Sequence, residues 1–482
     1  MGAASGETTQ DGGFPMSATR LVRGCRPLIA VASPIAGIQL AQVALTTTDL
    51  VMMGSLGVKA IAGGGLAITL YNQLRTMCVG AVTAVGNLVA GAVGRGEVRS
   101  GGAPQLDERT GNEVRQVVRA SFLVATFVGM LGGVVLVALS YALAWFGQDS
   151  GVLELARPTM MALAPGLVPM LWLNVLRQFA VGMRRPGSLL GVTIVSIAVN
   201  AALDGGFAYG WFDFPVLGLT GIGLATTIVQ LLNFLAFLAI LRRDEQLAPL
   251  LSIQGWKADA VIVRDILRLG VPISLTYGSE AGITSVATLM MGSFGPIALA
   301  AHNVVNQLAY IVYQLNIGLS HGSSILVSRA VGQGNRREAG HIARTALTLG
   351  AVAMALVGLV YLTVPTWVLR FFLDQHANPT VESLAKILLF FGVAQQFLKG
   401  AQNISVGLLR GLGNTKSGFR ITLIGYWAVG TPAMLLFGYG LGFHGPGVWI
   451  GLCAGFGATA ILLLRRFRKD LSLGESASLS HS

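Results

Sequence analysis

Three acids stand inside stretches otherwise built for lipid: Asp49 in TTTDLVMMGSLG, Asp204 in NAALDGGFAYG and Glu280 in YGSEAGITSVATLMMG. A charged side chain at the bilayer centre costs roughly 3 kcal/mol on insertion scales, so each acid needs a cavity, a partner or a proton. A carboxylate that alternates between charged and protonated forms carries a proton with it, which is the chemistry of ion-coupled transport. The neighbouring residues point to a cavity. Gln42, Thr46 and Asp49 fall on one helical face; Thr276, Glu280 and Thr284 recur at successive fourth positions; Thr193, Ser196, Asn200 and Asp204 share a third face. Asn303, Asn306, Tyr310 and Gln314 make a fourth stripe, and Gln395, Lys399 and Gln402 a fifth. The five stripes are expected to wall one water-accessible pocket. Ser, Thr and Asn also serve as hydrogen bonds between helices, which is the competing reading for the uncharged members. Asp204 lies near a helix end, where partial solvation is the alternative to a coupling role. Arg75 and Lys399 are either counter-charges for the acids or snorkel towards water. His302 is either a packing histidine or a proton carrier.

The elements that must hold these residues follow from composition. Of 482 residues, 53% are hydrophobic and 11% charged, with mean hydropathy +0.67; a soluble domain carries about 25% charged residues. A helix needs roughly 20 apolar residues to cross a bilayer. Twelve such runs occur, over 27–54, 60–92, 118–146, 156–181, 187–210, 217–241, 265–294, 298–330, 341–372, 382–408, 418–438 and 445–467. The fold class expected is an all-α integral membrane protein with 12 transmembrane helices. The net charge of +12 and pI near 10.1 would suit a nucleic-acid partner, but the basic residues alternate by loop. Only Lys59, Arg157, Arg370 and Lys386 fall on one side, and Arg75 and Lys399 fall within spans. The rest mark the other side as cytoplasmic, placing both termini there and excluding a nucleic-acid partner. Cys25, Cys78 and Cys453 have no paired spacing, so neither a disulfide framework nor a metal site is expected. No phosphate-binding GxxxxGK[ST] sequence or nucleophile elbow occurs, which argues against an ATP-driven pump and against an enzyme.

The chain repeats itself. MMGSLG at Met52 to Gly57 returns as MMGSFG at Met290 to Gly295, and at the same offset Pro34 matches Pro272, Ala60 matches Ala298 and VGRG at Val93 to Gly96 matches VGQG at Val331 to Gly334. Six spans in each copy make the copies parallel, related by an axis along the membrane normal. The organisation expected is a disordered cytoplasmic tail over 1–26, an N-terminal six-helix bundle over 27–241, a cytoplasmic linker over 242–264, a C-terminal six-helix bundle over 265–468 and a tail over 469–482. The acids break the symmetry: Asp49 aligns with Ala287 and Glu280 with Gln42. Pro34 and Pro272 each remove a backbone hydrogen bond within a span, producing either a static kink or a moving hinge.

Pro34, Asp49 and MMGSLG with its downstream VGRG, PIS...MMGSFGPIALAAHNVVNQ from Pro272 to Gln307, LLRGLGNTK from Leu408 to Lys416 and GPGVWIGL from Gly445 to Leu452 together resemble the multidrug and toxic compound extrusion family, over essentially residues 25 to 468. The resemblance implies an antiporter with a central cavity that exchanges organic, often cationic, compounds for a proton or sodium ion. By resemblance Asp49 is the first-helix acid, Glu280 the seventh-helix glutamate of cation coupling and Asp204 the fifth-helix acid of a proton-coupled branch. The sodium-coupled bacterial branch carries a tenth-helix acid where this chain has Lys399, which favours protons because hard cations want oxygen ligands.

The function expected is multidrug efflux by a secondary active antiporter in a bacterial cytoplasmic (inner) membrane, exporting cationic or amphipathic small molecules against protons, with Asp49, Glu280 and Asp204 as coupling residues. Its partners are the substrate and membrane lipid, no cofactor beyond the coupling ion is expected, and the protein is expected to be a monomer. The alternatives are sodium coupling, export of an endogenous metabolite or lipid-linked precursor and, from a different class, a channel or a non-transporting sensor.

Overall fold

The structure is a computed structural model and describes residues 18–54, 56–101, 106–146, 150–185, 187–370 and 379–479. Those residues form helices and connections, with no strand among them. The N-terminal half contains α1 (Ala18–Gly54), α2 (Val58–Thr83), α3 (Val85–Arg99), α4 (Glu108–Ala142), α5 (Ser150–Leu163), α6 (Leu167–Gly182), α7 (Gly187–Tyr209) and α8 (Leu219–Arg243). The C-terminal half contains α9 (Ala260–Ser293), α10 (Pro296–Gly332), α11 (Arg336–Thr363), α12 (Pro365–Arg370), α13 (Pro379–Gly411), α14 (Thr415–Leu423), α15 (Thr431–Leu435) and α16 (His444–Leu479). α2 and α3 continue one another, as do α5 and α6; α14 and α15 belong to one rod whose stretches Ile424–Gly430 and Leu436–Gly440 widen into π-helical turns.

Among the described residues ten helical segments are long and apolar enough to cross a membrane. α9 and α10 are 34 and 37 residues long and carry the Glu280 and Asn303 stripes, which lower their apolar character without shortening them. Eleven of the expected apolar runs each fall on one of these helices or rods with its adjoining turns; the run 341–372 spans α11 and α12, and its last two residues lie outside the described ones. Several boundaries differ: α4 begins at Glu108 where 118 was expected, α3 runs to Arg99 past the expected 92, and α5 begins at Ser150 ahead of the expected 156. α1 begins at Ala18, ahead of the expected start at 27, and α16 continues to Leu479, through most of the expected tail. Residues 1–17 of the expected N-terminal tail and 480–482 of the C-terminal one lie outside the described residues.

The repeated motif is a turn. Gly57 and Gly295 end the two copies with φ of 102° and 106°, a left-handed backbone that only glycine adopts without strain, and each reverses the chain into the next long helix. On the opposite side of the molecule the connections start helices with side-chain caps: Asp107 accepts from the Thr110 amide, Asp259 from Val261, Asn335 from Glu338 and Asn414 from Ser417. Hydrogen bonds tie these connections to neighbouring helix ends, as in Arg185 to Asp244 at 2.9 Å, Arg115 to the Pro249 carbonyl at 3.0 Å and Asn414 to Asp470 at 2.6 Å.

The halves touch at this capped end. Gly270 on α9 lies so close to α2 that a Cβ there would stand 2.1 Å from the Ala81 carbonyl oxygen, and a Cβ on Gly94 of α3 would stand 2.3 Å from that of Arg329 on α10. Small residues bring helix backbones together where apolar lipid supplies no drive for packing. Polar contacts join the same surfaces. The Asn87 amide donates to the Ser324 and Ser328 hydroxyls at 2.7 and 2.8 Å, and Glu97 accepts from Arg329 and from Gln333 at 2.7 Å. One buried cluster runs from Ile38 to Leu250 with Ile266 added, and a second from Ile283 to Phe456. Leu28 and Ala32, at the start of α1, instead pack into a third cluster made of C-terminal residues such as Leu319 and Leu408.

Candidate functional site

α7 holds Asn200 and Asp204 one turn apart on its buried face, and both are fully buried. Asn200 donates one amide hydrogen bond to Asp49 Oδ1 on α1 at 2.6 Å and one to Asp204 Oδ2 at 2.8 Å. A primary amide has two N–H donors, and here each serves a different carboxylate. The second Asp204 oxygen and the Asn200 carbonyl oxygen are buried without a hydrogen-bond partner. Two carboxylates sharing one neutral donor can accept one added positive charge between them. Of the two readings of Asp204, partial solvation is not what the structure has: the connection after α7 folds back over the helix end, setting the Trp211 ring against Gly205 and the Phe214 ring 5.0 Å from that of Phe207, and Asp204 is fully buried.

Asp49 faces a narrow pocket of about 40 Å³, lined also by Gln42, Thr46, Thr193, Ser196, Arg75 and Arg177. Gln42, Arg75 and Arg177 line a neighbouring cavity as well, which reaches Tyr277, Ile317 and His321 of the C-terminal half. The two spaces adjoin through these shared residues. Arg177 reads in sequence as a basic flank near a span end, and its place beside Asp49 is visible only once α6 packs against α2. Asn72, Gln230 and Asn233 also line the first pocket; their spacing across α2 and α8 makes no long stripe.

In the C-terminal half, Lys399 Nζ on α13 lies 3.2 Å from Glu280 Oε1 on α9. The same ammonium stands over the Tyr313 and Phe456 rings, 4.3 and 5.2 Å from their centroids. Of the two sequence readings, Lys399 is the counter-charge. Arg75 makes no such contact: among the described residues no carboxylate lies within 4.0 Å of it, though it shares a pocket with Asp49. His302 packs its ring against Trp449, with centroids 5.6 Å apart, and its Nε2 meets the Thr288 hydroxyl at 3.1 Å.

The remaining stripes do not converge on one pocket. Thr46, Thr276 and Thr284 turn their hydroxyls back onto carbonyls of their own helices, those of Gln42, Pro272 and Ala281. Gln314, Gln395 and Gln402 are buried, and neither amide atom of Gln402 has a partner. Asn303, Asn306 and Tyr310 are exposed and border neither space beside Asp49. The two charged sites instead lie apart, each within its own half: α1 and α7 pack together in one, and in the other the Lys399 side chain of α13 reaches Glu280 of α9.

The MatE family profile matches residues 34–204 and again 272–436, so its two matches begin at Pro34 and Pro272. The chain is 34% identical over 455 residues to a probable multidrug resistance protein NorM of Pseudomonas aeruginosa, covering 94% of this chain and 90% of that protein. It is 32% identical to a probable multidrug resistance protein NorM of Mesorhizobium japonicum, over 92% of this chain and 94% of that one. Among solved structures it is similar to the outward-facing conformation of a multidrug resistance MATE family transporter of the MOP superfamily, with TM-score 0.83 at 16% identity, covering 97% of this chain and 99% of that one.

Proposed function

The chain belongs to the MatE family of multidrug efflux transporters and is an integral protein of the bacterial inner membrane, and on that premise we propose that it is a secondary active antiporter exporting organic, cationic or amphipathic compounds in exchange for protons. The observation that carries the proposal is the pair of buried carboxylates, Asp49 and Asp204, joined through Asn200 beside a cavity. In the proposed cycle a proton arriving from outside is taken up by this pair, lowers its negative charge by one and weakens the hold on substrate; its release to the cytoplasm restores the charge and readies the cavity. Substrate and proton thus compete, and exchange follows from that competition.

Protons are favoured over sodium by the state of Glu280. Lys399 already neutralises it, and an ammonium at that place opposes a second cation. The coupling charge is assigned chiefly to Asp49 and Asp204, with Glu280 and Lys399 as a pair that opens only if the C-terminal half rearranges.

We further infer two six-helix bundles, 27–241 and 265–468, related by a parallel repeat, joined by a cytoplasmic linker over 242–264, with both termini cytoplasmic and the protein a monomer. Support comes from the repeated glycine turn, the separate buried clusters of the halves and the basic residues at the capped end. With that orientation the halves meet on the cytoplasmic side, as an outward-facing state requires. Pro34 lies where α1 passes from contact with α10 to contact with α7, and Pro272 lies between the α2 contact at Gly270 and the Glu280 site. Bending at these prolines is the proposed hinge.

The test is purified protein in liposomes holding a pH-sensitive dye, given ethidium under an imposed proton gradient and then an imposed sodium gradient. Ethidium-linked proton movement lost in Asp49→Asn is the expected result. Movement with sodium alone would overturn proton coupling, and equal flux without either gradient would mean a channel.

A further inference from the structure

Arg75 on α2 and Arg177 on α6 both line the pocket that contains Asp49 and the adjoining cavity that reaches the C-terminal half. A guanidinium inside a membrane protein is expensive to hold, and it persists where it has a partner or a ligand. Neither has a protein partner of the usual kind. Among the described residues no carboxylate lies within 4.0 Å of either, and the Nε atoms of both are buried without a hydrogen-bond acceptor. The Tyr71 hydroxyl, also on the lining, is buried and unpartnered too.

The charge count at this place is positive. Asp49 is the acid on the lining, and its Oδ1 is engaged by Asn200; Asp204 lies buried behind that amide and does not line either space. Two guanidinium groups therefore face the cavity against one carboxylate. Arg410 adds to this field from the C-terminal half, since it approaches Tyr277, which lines the second cavity, and donates to Ser324 with no acid as partner among the described residues. The planar guanidinium fork matches a carboxylate or phosphate in a bidentate manner, which a lysine does not. Beside it, Ile35, Ile38, Val79 and Val181 supply an apolar wall.

We propose that Arg75 and Arg177 form an anion-binding subsite of the transport cavity that takes the carboxylate of an amphipathic organic acid, with its apolar body against the Ile38 and Val79 wall. The inference rests on the transporter reading above and refines its substrate class to include compounds that carry an acid group beside the cationic centre that competes with the proton; a purely cationic compound uses the cavity without this subsite.

The test compares 2-naphthoate with 2-naphthamide, which differ in charge at one group, by equilibrium dialysis against the purified full-length protein in detergent. Naphthoate should bind about tenfold or more tightly than naphthamide, and the advantage should shrink as salt rises. Arg75→Gln and Arg177→Gln should each remove most of that advantage, with Arg177→Lys intermediate because it keeps the charge and loses the fork. Equal binding of the two compounds to the wild-type protein overturns the subsite even if the variants fail to fold, and so does undiminished naphthoate preference in folded glutamine variants. Displacement of naphthoate by dihexanoyl phosphatidylglycerol but not by benzoate would assign the pair to a lipid headgroup and overturn it as a substrate site. Ethidium-linked proton movement in liposomes reports on the antiporter separately, so that its loss and the loss of naphthoate discrimination are distinguishable.

Discussion

Lys399 and Glu280 neutralise one another inside the C-terminal half, with Nζ 3.2 Å from Oε1 and side chains only 20% and 10% exposed. Removing one partner strands a buried charge, at a cost of about 3–5 kcal/mol, while removing both leaves neutral amides. Glu280→Gln and Lys399→Gln should each destabilise the protein more than the double substitution does. Denaturant unfolding in detergent micelles measures the cycle, and strictly additive losses would show that the pair is uncoupled.

Asn200 is the bridge between Asp49 and Asp204, and its loss removes a donor from each carboxylate at once. Asn200→Leu should reduce substrate-linked proton movement by at least about tenfold, since a transition needing one discrete charge state loses the group that organises it. Proteoliposome flux normalised to reconstituted protein checks this. Wild-type rates in that variant would remove the triad from the coupling mechanism.

Glu97 accepts hydrogen bonds from Arg329 and Gln333 across the contact between the halves. Glu97→Gln should weaken the contact by about 1–2 kcal/mol and shift the balance of states about five- to thirtyfold towards opening at the capped end. The readout is labelling of a cysteine placed at Val79, in a protein freed of Cys25, Cys78 and Cys453, by an impermeant thiol reagent supplied from the cytoplasmic side. Unchanged labelling would mean that the latch does not control access.

Gly270 and Gly65 give a matched pair. A Cβ on Gly270 would stand 2.1 Å from the Ala81 carbonyl oxygen, which cannot rotate away, whereas a Cβ on Gly65 meets nothing within 4 Å. Gly270→Ala should separate α2 from α9 and cost about 1–3 kcal/mol, while Gly65→Ala should be neutral or stabilise by up to about 1 kcal/mol through helix propensity. Thermal unfolding of the two purified variants compares them directly.

Asp244 lies in the connection after α8, outside the apolar spans. Partial burial pushes its carboxyl up, but the Gln246 and Leu247 amides and Arg185 outweigh that and hold it below the usual carboxylate value. Its folded form therefore favours the charged state, and the stabilisation is present above the unfolded value of about 3.9 and is lost as pH falls through the lower folded one. Asp244→Asn should cost at most about 1 kcal/mol at neutral pH and flatten the acid limb of the stability profile. An unfolding midpoint followed from pH 7 down to about pH 3 tests the sign.

Helix placement was legible because lipid imposes a length and a composition on any crossing segment, and a run such as 217–241 meets both without reference to its neighbours. The repeat was legible because the turn at Gly57 and Gly295 needs a residue type that few sequences supply by chance. What helical spacing cannot carry is the rotation of one helix against another. A stripe of polar residues fixes a face, yet Thr276 and Thr284 spend their hydroxyls on their own backbone while Asn303 and Asn306 remain exposed.

By itself the sequence determined that this protein lives in a membrane, which runs fold into long apolar helices and which acids stand within them, since each of these follows from local composition and the cost of burying charge. Only the tertiary structure decided which charges meet: that Lys399 answers Glu280, that Asn200 joins Asp49 to Asp204 and that Arg75 and Arg177 face a cavity unanswered. The reason is physical. Electrostatic partnership acts over a few ångströms between helices hundreds of residues apart in sequence, and only packing brings those distances into being.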